Sequence, residues 1–291
     1  MEYGTGAGQL SFVNATVEKE LEEPAPFGPM AFRIHGGEAW VADSCNGRIF
    51  CLGADGKVKT TVSIPGIGSD AILADFALVP DKDRKITGIW VGDAQDSFVR
   101  HISVPDGKEL AKFGGNGEGP GQFQQIQQIE ISPGGKVYVG DFAKNKISVF
   151  DSTGKFLREQ EWQSSGFVVN EKDRIFTVNF TDGKGFSLET LDPSGKSEKS
   201  ISIGLPNCTN PRLWALDKEG NYWVSFIPAE GFQEKLDLYQ FAPDGKQVSK
   251  NSFTPLGSMN RFLDFTSEGE KFLAEGDFDA APKGNFVIRS F

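Results

Sequence analysis

The most specific chemical pattern in this 291-residue chain is a set of polar residues at the starts of apolar strands. When the strands are aligned on the turns that follow them, Gln127, Arg212 and Arg261 fall at equivalent positions. Ile129, Trp214 and Leu263 follow two residues later in each. Residues two apart in a strand share a face, so each polar residue stands beside an apolar one suited to a core. Arginine is permanently charged, and its planar fork matches carboxylate or phosphate. Gln127, Arg212 and Arg261, with Trp214 as an apolar floor, therefore read as a binding site for an anionic group on a ligand or partner. The competing reading pairs each arginine with an acid near the rim.

Other chemistry is weaker. Asp43, Asp93 and Asp141, with Asn179 at the equivalent place, end strands, where a carboxylate or amide accepts backbone N–H bonds and fixes the turn. A metal centre needs oxygens converging on one ion, which this spacing does not supply. The two histidines, His35 and His101, form no cluster, and no metal or cofactor is expected. Cys45, Cys51 and Cys208 make no disulfide framework and have no marked local base, and no serine lies in Gly-x-Ser-x-Gly. No catalytic residue is assigned. The stretch FGGNGEGPGQF (113–123) is glycine-rich, yet a phosphate loop needs a helix behind it and a Lys-Ser or Lys-Thr pair, and neither follows.

The 30 basic and 40 acidic residues give a net charge of −10, which disfavours nucleic acid or an anionic membrane as the main partner, although a local basic patch is compatible with it. No apolar run approaches the ~18 residues of a membrane span. A protein or small anionic ligand, met by a monomer, is the expected partner. Residues 1–12 lack the charged start and apolar core of a signal peptide. The compartment is left open, export to a periplasmic or extracellular space with the signal segment outside this chain included.

The elements that must hold these residues are set by turns. Five times an apolar strand runs into a turn ending Gly-Lys, at Gly56, Gly107, Gly154, Gly195 and Gly245, spaced 51, 47, 41 and 50 residues apart. Upstream lie AWVAD, IWVGD, VYVGD, IFTVN and YWVSF, each preceded by a short first strand such as AFRI (31–34), DFALV (75–79) or IEIS (129–132). Helical periodicity is absent. A strand repeat of this length means propeller blades, because one four-stranded sheet cannot bury both its faces alone. After Thr254, FLDFT, KFLAEGD and NFVIRSF supply three strands of a sixth blade, and SFVNATVEKEL (11–21) is expected to complete it and close the ring. The fold class is all-β, a single six-bladed β-propeller over 1–291. The blades span about 29–65, 71–113, 126–162, 166–203, 212–254 and 261–291 plus 11–21.

GNGEGPGQF followed by a strand, then VYVGD, NKISVFD and a Gly-Lys turn, resembles the NHL repeat of six-bladed propellers. Residues 113–157 fit closely, 31–64 and 71–113 fairly well, and the last three blades mainly through turn spacing. The proline usual after GQF is replaced by Gln125 to Gln128. The resemblance implies a central channel and a loop face that bind a protein, polymer or small ligand, hence a non-catalytic binding or scaffold module. Related six-bladed folds include lactonase and gluconolactonase-like hydrolases, which imply a channel cation held partly by a Glu of the first inner strand, and zinc lyases that use several histidines. Residues 30–34, Met-Ala-Phe-Arg-Ile, offer no such carboxylate. A metal-dependent hydrolase or lyase of this class stands as the alternative.

Overall fold

The structure is a computed structural model that describes residues 1–4, 6, 8–11, 28–67, 72–205, 207–229, 235–254, 259–276 and 284–291. Alternating apolar residues between turn signals give antiparallel strands, and these form sheets in which every strand neighbours the next in sequence. The first sheet holds β1 (Phe32–His35), β2 (Glu38–Asp43), β3 (Arg48–Leu52) and β4 (Val58–Ser63). The second holds β5 (Leu73–Pro80), β6 (Ile86–Asp93), β7 (Phe98–Ser103) and β8 (Glu109–Gly114). The third holds β9 (Ile126–Ile131), β10 (Val137–Asp141), β11 (Lys146–Phe150) and β12 (Phe156–Glu161). In the fourth are β13 (Phe167–Val169), β14 (Ile175–Thr181), β15 (Gly185–Leu191) and β16 (Ser197–Ile203). The fifth contains β17 (Cys208–Leu216), β18 (Tyr222–Pro228), β19 (Leu236–Phe241) and β20 (Gln247–Phe253), and the sixth β21 (Leu263–Phe265), β22 (Lys271–Gly276) and β23 (Phe286–Ser290). Among the described residues the helical content is one short 3-10 turn, Ser44–Asn46, and no helix is long and apolar enough to cross a membrane.

The Gly-Lys turns repeat in geometry as well as in sequence. All five glycines lie at positive φ, between 68° and 89°, where a Cβ would be strained. Each turn follows a register shift at the end of the third strand, at Cys51/Leu52, His101/Ile102, Val149/Phe150, Thr190/Leu191 and Gln240/Phe241. The extra residue lies at the start of the fourth strand, which it bends and twists more strongly.

The chain divides into two compact units, one carrying the first, second and sixth sheets with the start of β9, the other carrying β10 to β20. In the first unit Trp40, Ile49, Val62, Phe76, Ile89 and Val91 form one buried cluster. The second unit has two, around Tyr138, Trp162 and Phe167 and around Leu188, Val224 and Phe226. Burying a side chain of this size is worth about 1.5–3 kcal/mol, so these clusters are what hold neighbouring sheets in each unit together.

The described residues of the glycine-rich segment at 3–10 repeat the contacts of the segment at 116–123. Tyr3 bridges Leu10 as Asn116 bridges Phe123. Gln9 N donates to Gly6 O at 3.1 Å, as Gln122 N does to Gly119 O at 3.1 Å. In both, the glutamine Oε1 accepts from the backbone N–H three residues earlier, at 3.1 and 3.0 Å. The glycines at 116–123 thus shape the connection between β8 of the second sheet and β9 of the third. Before the first of these loops, Met1 N donates to Phe286 O at 2.8 Å, Phe286 N to Met1 O at 2.8 Å and Tyr3 N to Gly284 O at 3.3 Å. Among the described residues it is therefore Met1–Tyr3 that reach the free edge of the sixth sheet. The segment expected there, 11–21, lies outside the described residues except for Ser11, whose N–H and hydroxyl both donate to Asp43 Oδ1, at 2.8 and 2.6 Å.

Candidate functional site

The first strands of four sheets meet at one buried carboxylate in the first unit. Asp75 stands third in β5, just after a register shift between Leu73 and Asp75, in a run of five buried residues, and it is fully buried. Arg261, just before β21, is anchored to the start of the first sheet by Arg261 N to Met30 O at 2.9 Å and Phe32 N to Arg261 O at 3.3 Å. Its side chain grips Asp75 at two points, Nε to Oδ1 at 3.0 Å and Nη2 to Oδ2 at 3.1 Å. Ile129 N of β9 donates to Oδ2 at 3.0 Å, and Arg33 Nη2 of β1 approaches the same oxygen at 3.4 Å. Arg33 also donates from Nε to Phe76 O at 2.9 Å and from Nη2 to Ile129 O at 2.7 Å. Four donors match the roughly four acceptor sites of a carboxylate.

Burial alone would raise the Asp75 pKa, but Arg261 and then Arg33 beside it, with hydrogen bonds from Arg261 and Ile129, hold it below the usual carboxylate range. Asp264 of β21 is likewise committed, its Oδ2 accepting from Ile34 N at 2.6 Å. Asn260 Nδ2 donates to Ala74 O at 2.8 Å and also to Gln127 O. The result is a knot of charge and backbone bonds that ties β1, β5, β9 and β21 in one register.

Of the residues singled out in the sequence, Gln127 and Arg261 lie at this knot. Gln127 joins it through its backbone carbonyl, and its buried Oε1 has no partner. Arg261 is 2 % exposed and its fork is filled by Asp75. Arg212 and Trp214 lie in the second unit, where the Arg212 guanidinium sits 4.4 Å from the centre of the Trp214 ring and Trp214 Nε1 donates to Ser225 Oγ at 2.9 Å. Sequence reading missed Asp75 and Arg33. The available signal was an acid opening the otherwise apolar DFALV.

The strand-end acids serve their turns. Asp93 Oδ1 accepts from Gln95 N at 3.1 Å and Asp141 Oδ1 from Lys144 N at 3.0 Å. Asp43 takes Arg48 Nε at 2.6 Å and Asn46 Nδ2 at 3.0 Å in addition to Ser11. His35 Nε2 meets Arg84 O at 2.6 Å, while His101 stacks on Trp90. All three cysteines are free thiols. Among the described residues no group of three or more His, Cys, Asp or Glu is arranged to hold a metal ion.

Six antiparallel meanders in chain order, built on a strand–turn repeat, define a six-bladed β-propeller with four-stranded blades. The chain belongs to the DUF5128 family, described as a 6-bladed beta-propeller, whose family model matches residues 89–271. No curated protein sequence matches it significantly. Among solved structures it is similar to virginiamycin B lyase from Staphylococcus aureus, with a TM-score of 0.56 and 16% identity over 97% of this chain and 88% of that one. It is similar to a gluconolactonase from Xanthomonas campestris, with a TM-score of 0.58 and 11% identity over 90% and 86%. A third likeness is to the calcium-binding protein regucalcin from Agrobacterium tumefaciens, with a TM-score of 0.53 and 13% identity over 84% and 81%. At such identities the shared property is the fold, and function has to be argued from the site.

Proposed function

We propose that this chain is an NHL-like propeller that acts without catalysis, as a ligand- or protein-binding scaffold module working through one loop face and the channel typical of such folds. The observation that supports this most is the commitment of Asp75. A metal-dependent hydrolase on this fold needs a first-strand carboxylate free to hold a cation. Here Asp75 is filled by two arginines and a backbone N–H, and Asp264 accepts from Ile34 N. The two guanidinium groups neutralise Asp75 and occupy the oxygens that a cation would need.

The NHL-like assignment is supported by the two matching loops at 3–10 and 116–123. For ligand contact we assign Gln127 in one unit and Arg212 with Trp214 in the other, each for an anionic or polar group of the partner, while Arg261 acts by holding Asp75. The test is a pH-stat assay of glucono-δ-lactone hydrolysis with calcium, magnesium or zinc added. The expected rate equals that of buffer with the same ion. Turnover above that rate that a chelator abolishes would overturn the reading in favour of the hydrolase.

A further inference from the structure

A cavity of about 510 Å³ lies in the first unit between the first and second sheets, away from the Asp75 knot. Trp40 of β2 lines it. In the ladder Trp40 faces Cys51, one residue before the register shift. The equivalent positions are Trp90 facing His101, Tyr138 facing Val149, Phe176 facing Thr190 and Trp223 facing Gln240, of which the third and fifth sheets carry a polar aromatic capped by an acid. Tyr138 donates its hydroxyl to Asp173 Oδ1 at 3.2 Å, and Trp223 donates Nε1 to Asp217 Oδ2 at 3.3 Å. A carboxylate caps the aromatic donor in both. Trp40 is 3% exposed, yet its Nε1 has no partner. Where those two sheets place an acid, no acid caps Trp40 among the described residues, and the side chain lines the cavity instead.

The charge of the lining points the same way. In a chain of net charge −10, the cavity carries one carboxylate, Glu38, against Lys59, Arg84 and Lys85. Glu38 is already engaged, by Lys59 Nζ at 2.9 Å and by the Cys51 thiol at 3.4 Å. Lys85 is exposed; its backbone N–H donates to Asp81 Oδ1 at 3.0 Å, and its ammonium pairs with no carboxylate among the described residues. Ile86, Val104 and Pro105 add an apolar wall. Burial, followed by the neighbouring Glu38, pushes the Cys51 pKa up to about 12, so the sulfur stays a neutral thiol.

We infer that this cavity is a binding site for a small organic carboxylate with an apolar body, the carboxylate lying between Lys59 and Lys85 and giving the Trp40 indole N–H its missing acceptor. The ligand supplies in this sheet what Asp173 and Asp217 supply in theirs. The site is separate from the residues assigned above, and its test is independent of whether the protein catalyses anything.

The experiment is a nitrogen-15 NMR titration of the whole chain, with the Trp40 indole N–H signal identified as the one lost in Trp40→Phe. Three probes are compared: benzoate, benzyl alcohol as the uncharged body, and inorganic phosphate as charge without a body. Benzoate is expected to move the Trp40 signal saturably, with the other two at least tenfold weaker. Lys85→Glu, a surface change, is expected to weaken benzoate at least tenfold while leaving the melting temperature unchanged. A Trp40 signal unmoved by benzoate, equal binding of benzyl alcohol or of phosphate, or unchanged affinity in folded Lys85→Glu would each overturn the assignment.

Discussion

Arg261, just before β21, and Asp75 of β5 form a two-point ion pair, 3.0 Å and 3.1 Å long, with side-chain exposures of 3% and 0%. The planar fork of arginine fixes direction as well as distance, so the pair sets the register of the loop before β21 against β5. Desolvation offsets much of the attraction in such a pair, but removing one partner strands the other charge, at a cost of about 3–5 kcal/mol. Arg261→Met is therefore expected to lower stability by about that amount in urea denaturation at neutral pH. The double variant Asp75→Leu with Arg261→Met is expected to cost less than the sum of its single changes. A loss below about 1 kcal/mol for Arg261→Met would show that the pair is not integral to the fold.

The same pair has an acid limit. Asp75 has a native pKa held below its unfolded value of about 3.9, so its contribution is complete above that pH and is lost as pH falls through the native value. Removing Arg261 takes away the largest opposition to the raising effect of burial, so Asp75 takes up a proton at higher pH in Arg261→Met than in the parent, and the stability gap between them should be widest at neutral pH and narrow as pH falls. A gap that stays constant to lower pH would contradict the assignment of the effect to this carboxylate.

His101 supplies a second, separate pH window. Its ring stacks on Trp90 with centroids 4.4 Å apart and planes 16° from parallel, and its buried Nε2 has no partner. Burial lowers its pKa, so the unfolded chain binds a proton first as pH falls. Stability is then present above about pH 6.5 and declines as pH falls through the lower native value. The melting temperature should fall between about pH 7.5 and about pH 5.5, and His101→Phe, which keeps a flat ring against Trp90, should remove that part of the fall. An unchanged slope in His101→Phe would assign the effect elsewhere.

The glycine-rich loop yields a backbone test. Gly114 has φ +101°, and a Cβ there would lie 2.7 Å from the Phe123 ring and 2.8 Å from Ser97 O. Neither the backbone oxygen nor the buried ring can yield easily, so Gly114→Ala should cost more than the roughly 1–3 kcal/mol of left-handed strain alone. Gly183, at φ +73° with nothing within 4 Å, is the control. Gly183→Ala should cost about 1 kcal/mol. Equal losses in thermal denaturation would show that the close approach at Gly114 is relieved without cost.

Local chemistry decided what was legible in the sequence. The five Gly-Lys turns, the alternating strands between them and the doubled glycine loop are written in consecutive residues, and they carried the all-β repeat and its six sheets. The Asp75 knot joins Arg33 at a separation of 42 residues and Arg261 at 186, so strand alignment brought out Arg261 without its acid. Alignment also grouped Arg212 with Arg261 because it compares positions along strands, whereas Arg261 bonds Asp75 and Arg212 stacks on Trp214. The cavity at Trp40 was hidden for a similar reason, since its charges come from β4 and the turn before β6, and what distinguishes Trp40 is an acid that two other sheets have and its own lacks.

The central claim is that the carboxylate at the meeting of the first strands serves arginines and not a metal. Elemental analysis of protein purified without chelator, paired with melting curves before and after chelator, tests this most directly. The expected result is zinc and calcium well below one ion per chain and superimposable curves. One tightly held ion per chain, with a melting temperature that drops when it is removed, would contradict the account.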